Sequence, residues 1–410
     1  MLKLDCPIIL QPTAQKYHWG KKGRKSLVAN LLGDFVESDP YAELWVGEHP
    51  RSPSTAIVDE AYSQRTIRLS LRELISRYPK AILGERVLGR FGPDLPFLFK
   101  VLSIEKPLSI QAHPDREHAR LLFKRDSSLY PDANHKPELA IALNPVDFLY
   151  GFKDGPSLRQ TFAETPELRQ LVGDELAGKL AGESGAYTSA ELLQQIYAAV
   201  IKAEKTRYSE LAGALIKRIG DKASPAPVEN LISLIAQDYG PEDLGIFSAL
   251  LLNYCSLLPG QAVFVHPNVL HAYLSGELAE CMANSDNVVR AGITPKKQDT
   301  ETLLEMLNFE KQGPPLLVEP AAGARFPEVA SYITTAEEFS CDSLAGSKVD
   351  LHLATNASPT LIFCLEGKAE IEAGKVGRKI TPGQALMIPA MLSDFRVGVA
   401  GGRVLMVTVP

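Results

Sequence analysis

Residues 259–265 read PGQAVFV, and residues 382–388 read PGQALMI, so that the second stretch begins 123 positions after the first (382 − 259). Each stretch starts with a Pro-Gly turn and continues as an apolar strand. A duplicated β-barrel unit produces this kind of repeat. After the repeat the two copies diverge, because the first continues to His271 and the second has Asp394 at the equivalent position. We therefore predict two related barrels.

Between the strand-rich parts lies a segment with helical periodicity. TSAELLQQIYAAVIKAEK (188–205) opens with a capping box of Thr188 and Glu191 and places apolar residues at helical spacing. VENLISLIAQDYG (228–240) repeats this pattern and ends at a Gly-Pro helix stop. The sequence therefore predicts a mainly β protein with a helical insert (α+β). The predicted units are a first barrel domain from residues 1–155 and 256–325, an all-α domain at 156–255, and a second barrel-like domain at 326–410.

The composition excludes several classes of protein. A net charge of −6 and a pI near 5.8 argue against a nucleic-acid or membrane-surface partner, since both attract a positive field. The apolar run at residues 8–10 is too short for a signal peptide, and polar or turn residues interrupt the apolar window 247–265. Five cysteines without a C-x-x-C pair fit reduced thiols. We expect a cytoplasmic monomer that binds a small molecule.

The stretch KPLSIQAHPD (106–115) reads as a strand with one polar face. Side chains alternate across a strand, so Ser109, Gln111 and His113 line one side. Leu108, Ile110 and Ala112 line the other side. A solvated face of an ordinary sheet would show the same pattern.

Two further segments carry candidate ligands. In LHAYLSGELAECMAN (270–284) the pair Ser275-Gly276 predicts a hairpin turn, which would place His271 across from Glu280. In NHKPELAIAL (134–143) Lys136 and Glu138 share a face of a short strand. Each pattern alone also fits a surface polar pair or a salt bridge.

Taken together, the three segments predict one metal site. The ligands would be Gln111, His113, Glu138 and His271, which offer an amide oxygen, two imidazoles and a carboxylate. These donors suit Zn²⁺, and with one anionic ligand the metal keeps a positive charge and acts as a Lewis acid. The second barrel, with Asp394 in place of the histidine, is then expected to be metal-free.

Four stretches carry a family resemblance: YAELWVGEHP (41–50), FLFKVLSIEKPLSIQAHPD (97–115), NHKPELAIAL and the long run from PGQAVFV to TPKKQD (259–299). They occur in the order, and around the helical insert, expected of type I mannose-6-phosphate isomerases (phosphomannose isomerases), zinc enzymes of the cupin superfamily. The chain resembles this family. One departure is Glu48, since many relatives have G-T-H-P where this chain has Gly-Glu-His-Pro.

The resemblance implies two cupin-type jelly-roll domains and one zinc ion per subunit on the four ligands predicted above. It implies interconversion of mannose 6-phosphate and fructose 6-phosphate through an enediol, feeding GDP-mannose synthesis. It also places an active-site arginine on Arg290 and a lysine of the T-P-K motif on Lys296.

The predicted chemistry needs a base and an anchor for phosphate. Glu280 is the first candidate base, because the predicted hairpin sets it beside His271, and Lys136 is the second. Arg290 and Lys296, with Lys297, form a cationic cluster suited to phosphate, although Arg290 is equally placed to stabilise the enediolate. The predicted pocket is further lined by Trp19, Ser109, Lys100, Tyr273 and Asp286.

Two other functions fit a duplicated barrel. A cupin oxygenase would use iron, for which Gln111 is a poor ligand. A non-catalytic sugar-binding protein would not need Glu280, Lys136 or Arg290. Metal analysis, an oxygen-consumption assay and a turnover assay distinguish these alternatives.

Overall fold

The computed structural model describes residues 2–61, 63, 65–322 and 328–410. In these ranges the strands are β1 Ile8–Gln11, β2 Thr13–Gln15, β3 Glu43–Val46, β4 Thr55–Asp59, β5 Thr66–Ser70, β6 Phe97–Ile104, β7 Ile110–Ala112, β8 Glu138–Ala142, β9 Val146–Phe152, β10 Leu252–Leu257, β11 Ala262–Val265, β12 His271–Ala283, β13 Val289–Gly292, β14 Leu317–Val318, β15 Ala321–Ala322, β16 Val329–Tyr332, β17 Ser340–Ala354, β18 Thr360–Ala373, β19 Val376–Ile380, β20 Ala385–Ile388 and β21 Asp394–Thr408.

The α-helices of the same ranges are α1 Leu27–Leu32, α2 Leu71–Arg77, α3 Pro79–Phe91, α4 Arg116–Arg125, α5 Gly155–Glu164, α6 Pro166–Val172, α7 Asp174–Gly182, α8 Ala190–Ile201, α9 Lys205–Gly220, α10 Pro227–Tyr239, α11 Gly245–Leu251 and α12 Thr300–Met306. The fold is therefore mixed α/β, with strands before and after a helical middle part.

Two large antiparallel sheets contain the described strands. The first sheet has eleven strands in the order β14-β11-β8-β12-β6-β3-β2, with β7, β9, β10 and β13 paired alongside. The second has ten strands in the order β15-β16-β17-β21-β18-β20-β1-β4-β5, with β19 paired to β18. Strands from both sides of the helical part meet in the first sheet, and the N-terminal strands β1, β4 and β5 extend the second.

The sequence repeat corresponds to a repeat of strands. Strand β11 covers Ala262–Val265 and β20 covers Ala385–Ile388, so both bounds differ by the same 123 positions as the two Pro-Gly motifs. The following strands, β12 and β21, also begin at equivalent residues, His271 and Asp394. Asp394 is exposed and lies 2.8 Å from the ring of His352, on the surface of the second sheet.

Alternation along β6 separates the two faces of the first sheet. Phe99 and Val101 are fully buried in the core between the sheets, where the Phe99 ring centroid lies 5.3 Å from that of Phe363 in β18. Lys100 lies between them in sequence, so its side chain is directed to the opposite face. Glu138 of β8 and Glu280 of β12 lie on the same face as Lys100.

Seven consecutive helices, α5 to α11, occupy the described residues between β9 and β10. In α8 the fully buried residues Leu193, Ile196 and Val200 recur three and four positions apart and enter a shared helical core. The apolar periodicity noted in the sequence thus marks the buried face of this helix. Helix α10 ends before Gly240, which has a φ of 89°, as the Gly-Pro stop predicted.

The predicted capping box at Thr188 is wrong. Ser189 is the N-cap of α8, and its side chain accepts a hydrogen bond from the Leu192 N–H at 3.4 Å. The Thr188 backbone is instead paired with the Gln312 side chain, whose Oε1 accepts from the Thr188 N–H at 3.0 Å and whose Nε2 donates to the Thr188 carbonyl at 2.6 Å. A contact distant in sequence therefore decides which of two adjacent hydroxyl residues caps the helix.

The long apolar window 247–265 is divided among α11, β10 and β11. Within the described ranges, no helix combines the length and apolar character needed to cross a membrane. Gly260, with a φ of 90°, forms the turn between β10 and β11. The turn residues that interrupt the window in the sequence thus mark the ends of these strands.

The core between the sheets can be tested by Phe363→Ala. We expect this change to lower the free energy of unfolding by about 3–5 kcal/mol, because a fully buried ring is replaced by a cavity. Urea denaturation monitored by circular dichroism measures the difference. Phe123→Ala, at a ring that is 41% exposed on α4, is the matched control and should cost less than about 1 kcal/mol. Equal losses in the two variants would contradict the assignment of this core.

Candidate metal centre

Three buried side chains from three different strands or strand ends meet on the polar face of the first sheet. His113, Glu138 and His271 place one ligand atom each within 4.8 Å of one another. The His113 Nε2 lies 3.2 Å from one Glu138 carboxylate oxygen, and the His271 Nε2 lies 3.4 Å from the other. None of the three is more than 1% exposed. The structure thus brings together three of the four residues predicted as ligands.

Both imidazoles are oriented by backbone carbonyls. The His113 Nδ1 lies 2.7 Å from the Asn287 carbonyl oxygen, and the His271 Nδ1 lies 3.1 Å from the Val269 carbonyl oxygen. A carbonyl oxygen only accepts, so the proton of each neutral ring resides on Nδ1. Each Nε2 then presents its lone pair to the cluster, as metal-binding histidines do.

The atoms that face one another lack hydrogen bonds. Among the described residues, His113 Nε2, Glu138 Oε2 and His271 Nε2 are buried without a hydrogen-bond partner. Leaving a buried polar atom unpaired costs about 1–3 kcal/mol. A single divalent cation between the three side chains would satisfy all of these atoms at once. Two imidazoles and one carboxylate form a donor set typical of zinc sites.

The protonation states of the cluster fit cation binding. Burial and the nearby Lys136 ammonium lower the pKa of His113 to about 4, so the ring is neutral at physiological pH. Burial alone would raise the pKa of Glu138, but Lys136 and the two imidazoles hold it well below its ordinary value. Neutral imidazole and ionised carboxylate are the forms that bind metals.

Gln111 lies beside this cluster. In the strand register it is directly opposite His271 of β12 and opposite Arg290 of β13. Its Oε1 accepts a hydrogen bond from the Ser109 hydroxyl at 3.1 Å. The structure thus gives Gln111 a position next to the histidines and gives Ser109 a role in orienting its amide.

The predicted hairpin at Ser275-Gly276 is wrong. Strand β12 runs without a turn from His271 to Ala283, pairing first with β7 and β9 and then with β6 and β8. Gly276 has a φ of 104°, and a Cβ there would lie 2.5 Å from the Pro145 carbonyl oxygen. The glycine therefore serves a bend where the strand changes partners. His271 and Glu280 are on the same strand rather than across a turn.

Glu280 takes part in a buried network of charges. The Lys100 ammonium lies 3.2 Å from the Glu280 carboxylate and 3.6 Å from that of Glu43, and the Trp45 indole N–H donates to Glu43. Burial and the neighbouring Glu138 raise the pKa of Glu280, and Lys100 opposes this rise. Burial disfavours the charge of Lys100, but Glu43 and Glu280 raise its pKa above its ordinary value.

Glu43 and Trp45 were missed by sequence reasoning, although both lie in the quoted segment YAELWVGEHP. The signal is the carboxylate of Glu43 in the otherwise apolar stretch AELWV (42–46), because an unpaired charge in a buried strand is costly. Its partner Lys100 lies on β6, the strand next to β3. The pairing of these strands was needed to connect the two residues.

Lys136, the second candidate base, is bound to a ligand. Its ammonium lies 2.9 Å from the Glu138 carboxylate, and its side chain is 9% exposed. The ion pair keeps Glu138 ionised before any cation binds. The sequence predicts that these two residues share a strand face. In the structure β8 begins at Glu138, and the two side chains are in direct contact.

The predicted cations lie near the cluster but on a different element. Arg290 in β13 is half-buried and forms no ion pair within the described ranges, and burial lowers its pKa. Lys296 reaches the solvent, but the partial desolvation of its ammonium, together with Arg290 and Arg51, lowers its pKa. Mutual repulsion among these groups marks a positive region at which an anion would be stabilised.

Of the remaining predicted pocket residues, Trp19 and Tyr273 belong to one apolar cluster and Asp286 lies apart from it. Tyr273 is buried next to His271, with ring centroids 6.1 Å apart, and its hydroxyl lacks a partner among the described residues. Trp19 stacks on Tyr17 at 5.9 Å. Asp286 is engaged elsewhere, since its carboxylate lies 3.2 Å from the ring of His49.

Glu48, the departure from the family motif, is not part of the cluster. It is 1% exposed, and its carboxylate accepts a hydrogen bond from the Leu95 N–H at 2.5 Å. Burial is the main cause that raises its pKa to about 8. The extra carboxylate is therefore a buried group of the β3–β4 connection.

The fold and the cluster define a class of protein: a β-sheet metalloprotein with a buried divalent-cation site next to a cationic patch. Family models support a narrower assignment. The model for the catalytic domain of type I phosphomannose isomerase matches residues 8–155, and that for its helical insertion domain matches residues 171–252.

Relatives and solved structures agree with these matches. Mannose-6-phosphate isomerase of Homo sapiens is 38% identical over 376 residues, covering 87% of each chain, and isomerase 1 of Arabidopsis thaliana is 36% identical, covering 93% and 89%. A variant of the phosphomannose isomerase from Salmonella typhimurium superposes with a TM-score of 0.83 at 30% identity over 98% of each chain. A mannose 6-phosphate isomerase bound with zinc and yttrium gives the same TM-score, identity and coverage. This chain belongs to the type I phosphomannose isomerase family.

Glu48 predicts a specific pH dependence of stability. Its folded pKa of about 8 exceeds the unfolded value, so the folded state holds an extra proton between these values, and stability falls as the pH rises through this window. The loss is about 1.4 kcal/mol for each pH unit. Glu48→Gln keeps an acceptor for the Leu95 N–H and removes the titration. We expect the variant to gain stability over the parent from pH 5 to pH 8, as measured by urea denaturation at each pH.

The difference between the two proteins isolates Glu48, because all other titrating groups are shared. Parallel profiles for parent and variant across this range would contradict a buried neutral carboxyl at position 48.

Proposed function

We propose that this protein is a zinc-dependent aldose–ketose isomerase that interconverts mannose 6-phosphate and fructose 6-phosphate. The observation that carries the proposal is the buried cluster of His113, Glu138 and His271, whose facing atoms lack partners among the described residues, in a chain of this family. The reaction moves a proton between C2 and C1 of the open-chain sugar through an enediol. Negative charge develops on oxygen during this transfer and needs stabilisation.

The three clustered residues and Gln111 would hold the zinc ion. Bound there, zinc would supply Lewis-acid polarisation of the substrate carbonyl. Lys136 keeps Glu138 ionised, and the carbonyls that bind each Nδ1 keep the rings in the ligating tautomer. The protein thus prepares the ligands before the metal binds.

Glu280 is our proposed base for the proton transfer. A base works best when its pKa lies near the working pH, and burial and Glu138 raise the pKa of Glu280 toward that range. Lys100, 3.2 Å away, stabilises the carboxylate after it has returned the proton. Lys136 is less suited, because its side-chain nitrogen is already engaged with the Glu138 carboxylate at 2.9 Å.

In this proposal the two cations bind different anionic parts of the substrate. Arg290 is opposite Gln111 in the strand register, close to the reacting carbons, where its guanidinium would stabilise the enediolate. Lys296, which is exposed and six positions further along the chain, would bind the phosphate. Holding the remote phosphate orients the reacting carbons.

The domain arrangement belongs to the same proposal. We infer two cupin-type barrels, formed mainly by 1–155 with 256–325 and by 326–410, around an all-α insert at 156–255, with β1, β4 and β5 of the N-terminal part completing the sheet of the second barrel. The repeated strand bounds of β11 and β20 support this layout. A monomer acting in the cytoplasm, with a product that leads toward GDP-mannose, stays a prediction from the sequence and the family.

Metal removal tests the proposed cofactor. Turnover of mannose 6-phosphate, followed with an assay coupled to fructose 6-phosphate, should disappear after chelation and return when Zn²⁺ is added. Glu138→Gln should not recover at the zinc concentration that restores the parent, because the charged ligand is gone. Full turnover in protein that elemental analysis shows to be free of metal would refute the zinc requirement. Oxygen uptake without isomerisation would favour the oxygenase alternative.

Glu280→Gln tests the proposed base. We expect kcat to fall by about 10²–10⁴-fold, with zinc content unchanged, because an amide cannot accept the proton. Deuterium incorporation at C2 from D₂O should fall in parallel. Lys136→Met is the comparison, and at saturating zinc it should retain deuterium exchange. The reverse pattern, with exchange lost in Lys136→Met and kept in Glu280→Gln, would make Lys136 the base.

A further inference from the structure

One carboxylate of the helical part reaches the loop that carries Lys296. Asp243 lies between α10 and α11, and it is 6% exposed. Its Oδ1 accepts hydrogen bonds from the Ile293 and Gly245 N–H groups, each at 2.7 Å. Its Oδ2 accepts from the Thr294 N–H at 3.2 Å. A single side chain thus joins the helical part to the loop of residues 292–296, here called the 292–296 loop.

The backbone of this loop needs such support. Ile293 has a φ of 54°, in the left-handed region that β-branched residues rarely adopt. A residue keeps this conformation only when its surroundings impose it. Both N–H groups that the loop presents at Ile293 and Thr294 are bound by Asp243. The carboxylate is therefore the polar contact that fixes the loop at its strained position.

The two backbones also touch directly. A Cβ on Gly292 would lie 2.2 Å from the Gly245 nitrogen, and a Cβ on Gly245 would lie 2.7 Å from the Asp243 Oδ1. Neither distance is compatible with a side chain. Glycine at both positions therefore allows the helical part to approach the loop closely enough for the carboxylate to bind its amides.

The core of the helical part supports Asp243 from behind. The Tyr208 hydroxyl in α9 donates to the Asp243 carbonyl oxygen at 2.9 Å and accepts from the Phe247 N–H at 3.3 Å. Tyr208 is 2% exposed. Burial raises the pKa of Asp243, and its three backbone N–H donors oppose that rise. The carboxylate is thus held by a rigid part of the helical core.

The loop is fixed at its other end by the metal-site strand pair. Arg290, opposite Gln111, is followed by a shift in register, after which the chain enters the 292–296 loop. Inside the loop the Lys296 N–H donates to the Thr294 hydroxyl at 3.1 Å. The segment from Arg290 to Lys296 is therefore fixed at its start by pairing with Gln111 and further on by the hydrogen bonds to Asp243.

We propose that Asp243 is a positioning residue that sets Lys296 at the phosphate of the substrate, which makes the helical insert part of the active site. This inference rests on the proposed function. Asp243 touches neither substrate nor metal in it, and acts through the two backbone amides of the 292–296 loop. Its loss displaces Lys296 and leaves the His113–Glu138–His271 cluster intact.

Asp243→Asn tests the inference with a nearly isosteric change. An amide group in place of one carboxylate oxygen faces a backbone N–H with another donor. We expect the KM for mannose 6-phosphate to rise by roughly tenfold or more, with kcat less affected and zinc content unchanged. Glu242→Gln, at the exposed neighbouring residue, removes the same charge and should leave both constants near those of the parent.

A double-mutant cycle separates positioning from general destabilisation. If Asp243 acts through Lys296, adding Asp243→Asn to Lys296→Met should raise KM much less than it does in the parent. Additive effects on KM would overturn the inference. A fall in kcat with unchanged KM would overturn it as well.

Hydrogen exchange supplies a readout that does not depend on turnover. The amides of Ile293 and Thr294 should exchange faster in Asp243→Asn than in the parent and Glu242→Gln, and equal rates would refute the anchoring. If the parent shows no isomerase activity, the proposed function fails while this readout still decides whether Asp243 holds the loop. Should Asp243→Asn fail to fold, Tyr208→Phe, which removes the hydroxyl that donates to the Asp243 carbonyl, takes its place with the same expected direction in KM and amide exchange.

Discussion

The Glu138 carboxylate is a charge enclosed by strands, and an enclosed charge is tolerated only when it is paired. Lys136 lies 2.9 Å from it, and two imidazole nitrogens lie within 3.4 Å. One ammonium group does not satisfy both carboxylate oxygens, and the two Nε2 atoms have no donor or acceptor of their own among the described residues. The arrangement is therefore complete only with a cation, and the strands that carry these residues are organised around that requirement.

The same strands hold the molecule together from their other face. In β8, Glu138 is directed to the cluster, while Leu139 and Ile141 are buried in the core between the two sheets. In β12, Glu280 faces Lys100, while Ala279 and Cys281 enter the same core. Because side chains alternate, burial of one face fixes the register of the other face. A slip of one residue would remove the ligands and the core together, so the packing of the apolar side sets the geometry of the polar side.

The sequence allowed much of this to be predicted, because the relevant patterns are local. Each pattern depends on neighbours within a few residues. The patterns are the alternation in SIQAH (109–113), the acid in KPEL (136–139), the repeated Pro-Gly strand and the helical periodicity. Family resemblance then connected the segments, and the family matches confirm it. Of the predicted metal ligands, His113, Glu138 and His271 come together in the structure, and Gln111 lies opposite His271 in the strand register.

The failures have physical causes as well. The pair Ser275-Gly276 predicts a hairpin turn because a positive φ serves both turns and bends, and only the carbonyl of Pro145 shows that a bend applies. Glu43 was overlooked because its partner Lys100 lies on another strand. Asp243 gave no signal, since an acid between a Gly-Pro stop and a helix looks like an ordinary polar turn. In each case the deciding contact is with a residue far away in the sequence.

Asp243 connects the helical insert directly to the loop that follows β13. Strand β13 pairs only with β7 among the described strands, and its register shifts after Arg290, so the loop that follows has no ladder to bind its amides. Unpaired buried amides are costly, and a positive φ at Ile293 adds to that cost. A neighbouring strand could not follow such a bend, whereas a carboxylate with two oxygens can accept from successive N–H groups. The helical core supplies that carboxylate on a rigid support, and this is the physical basis of the proposed positioning of Lys296.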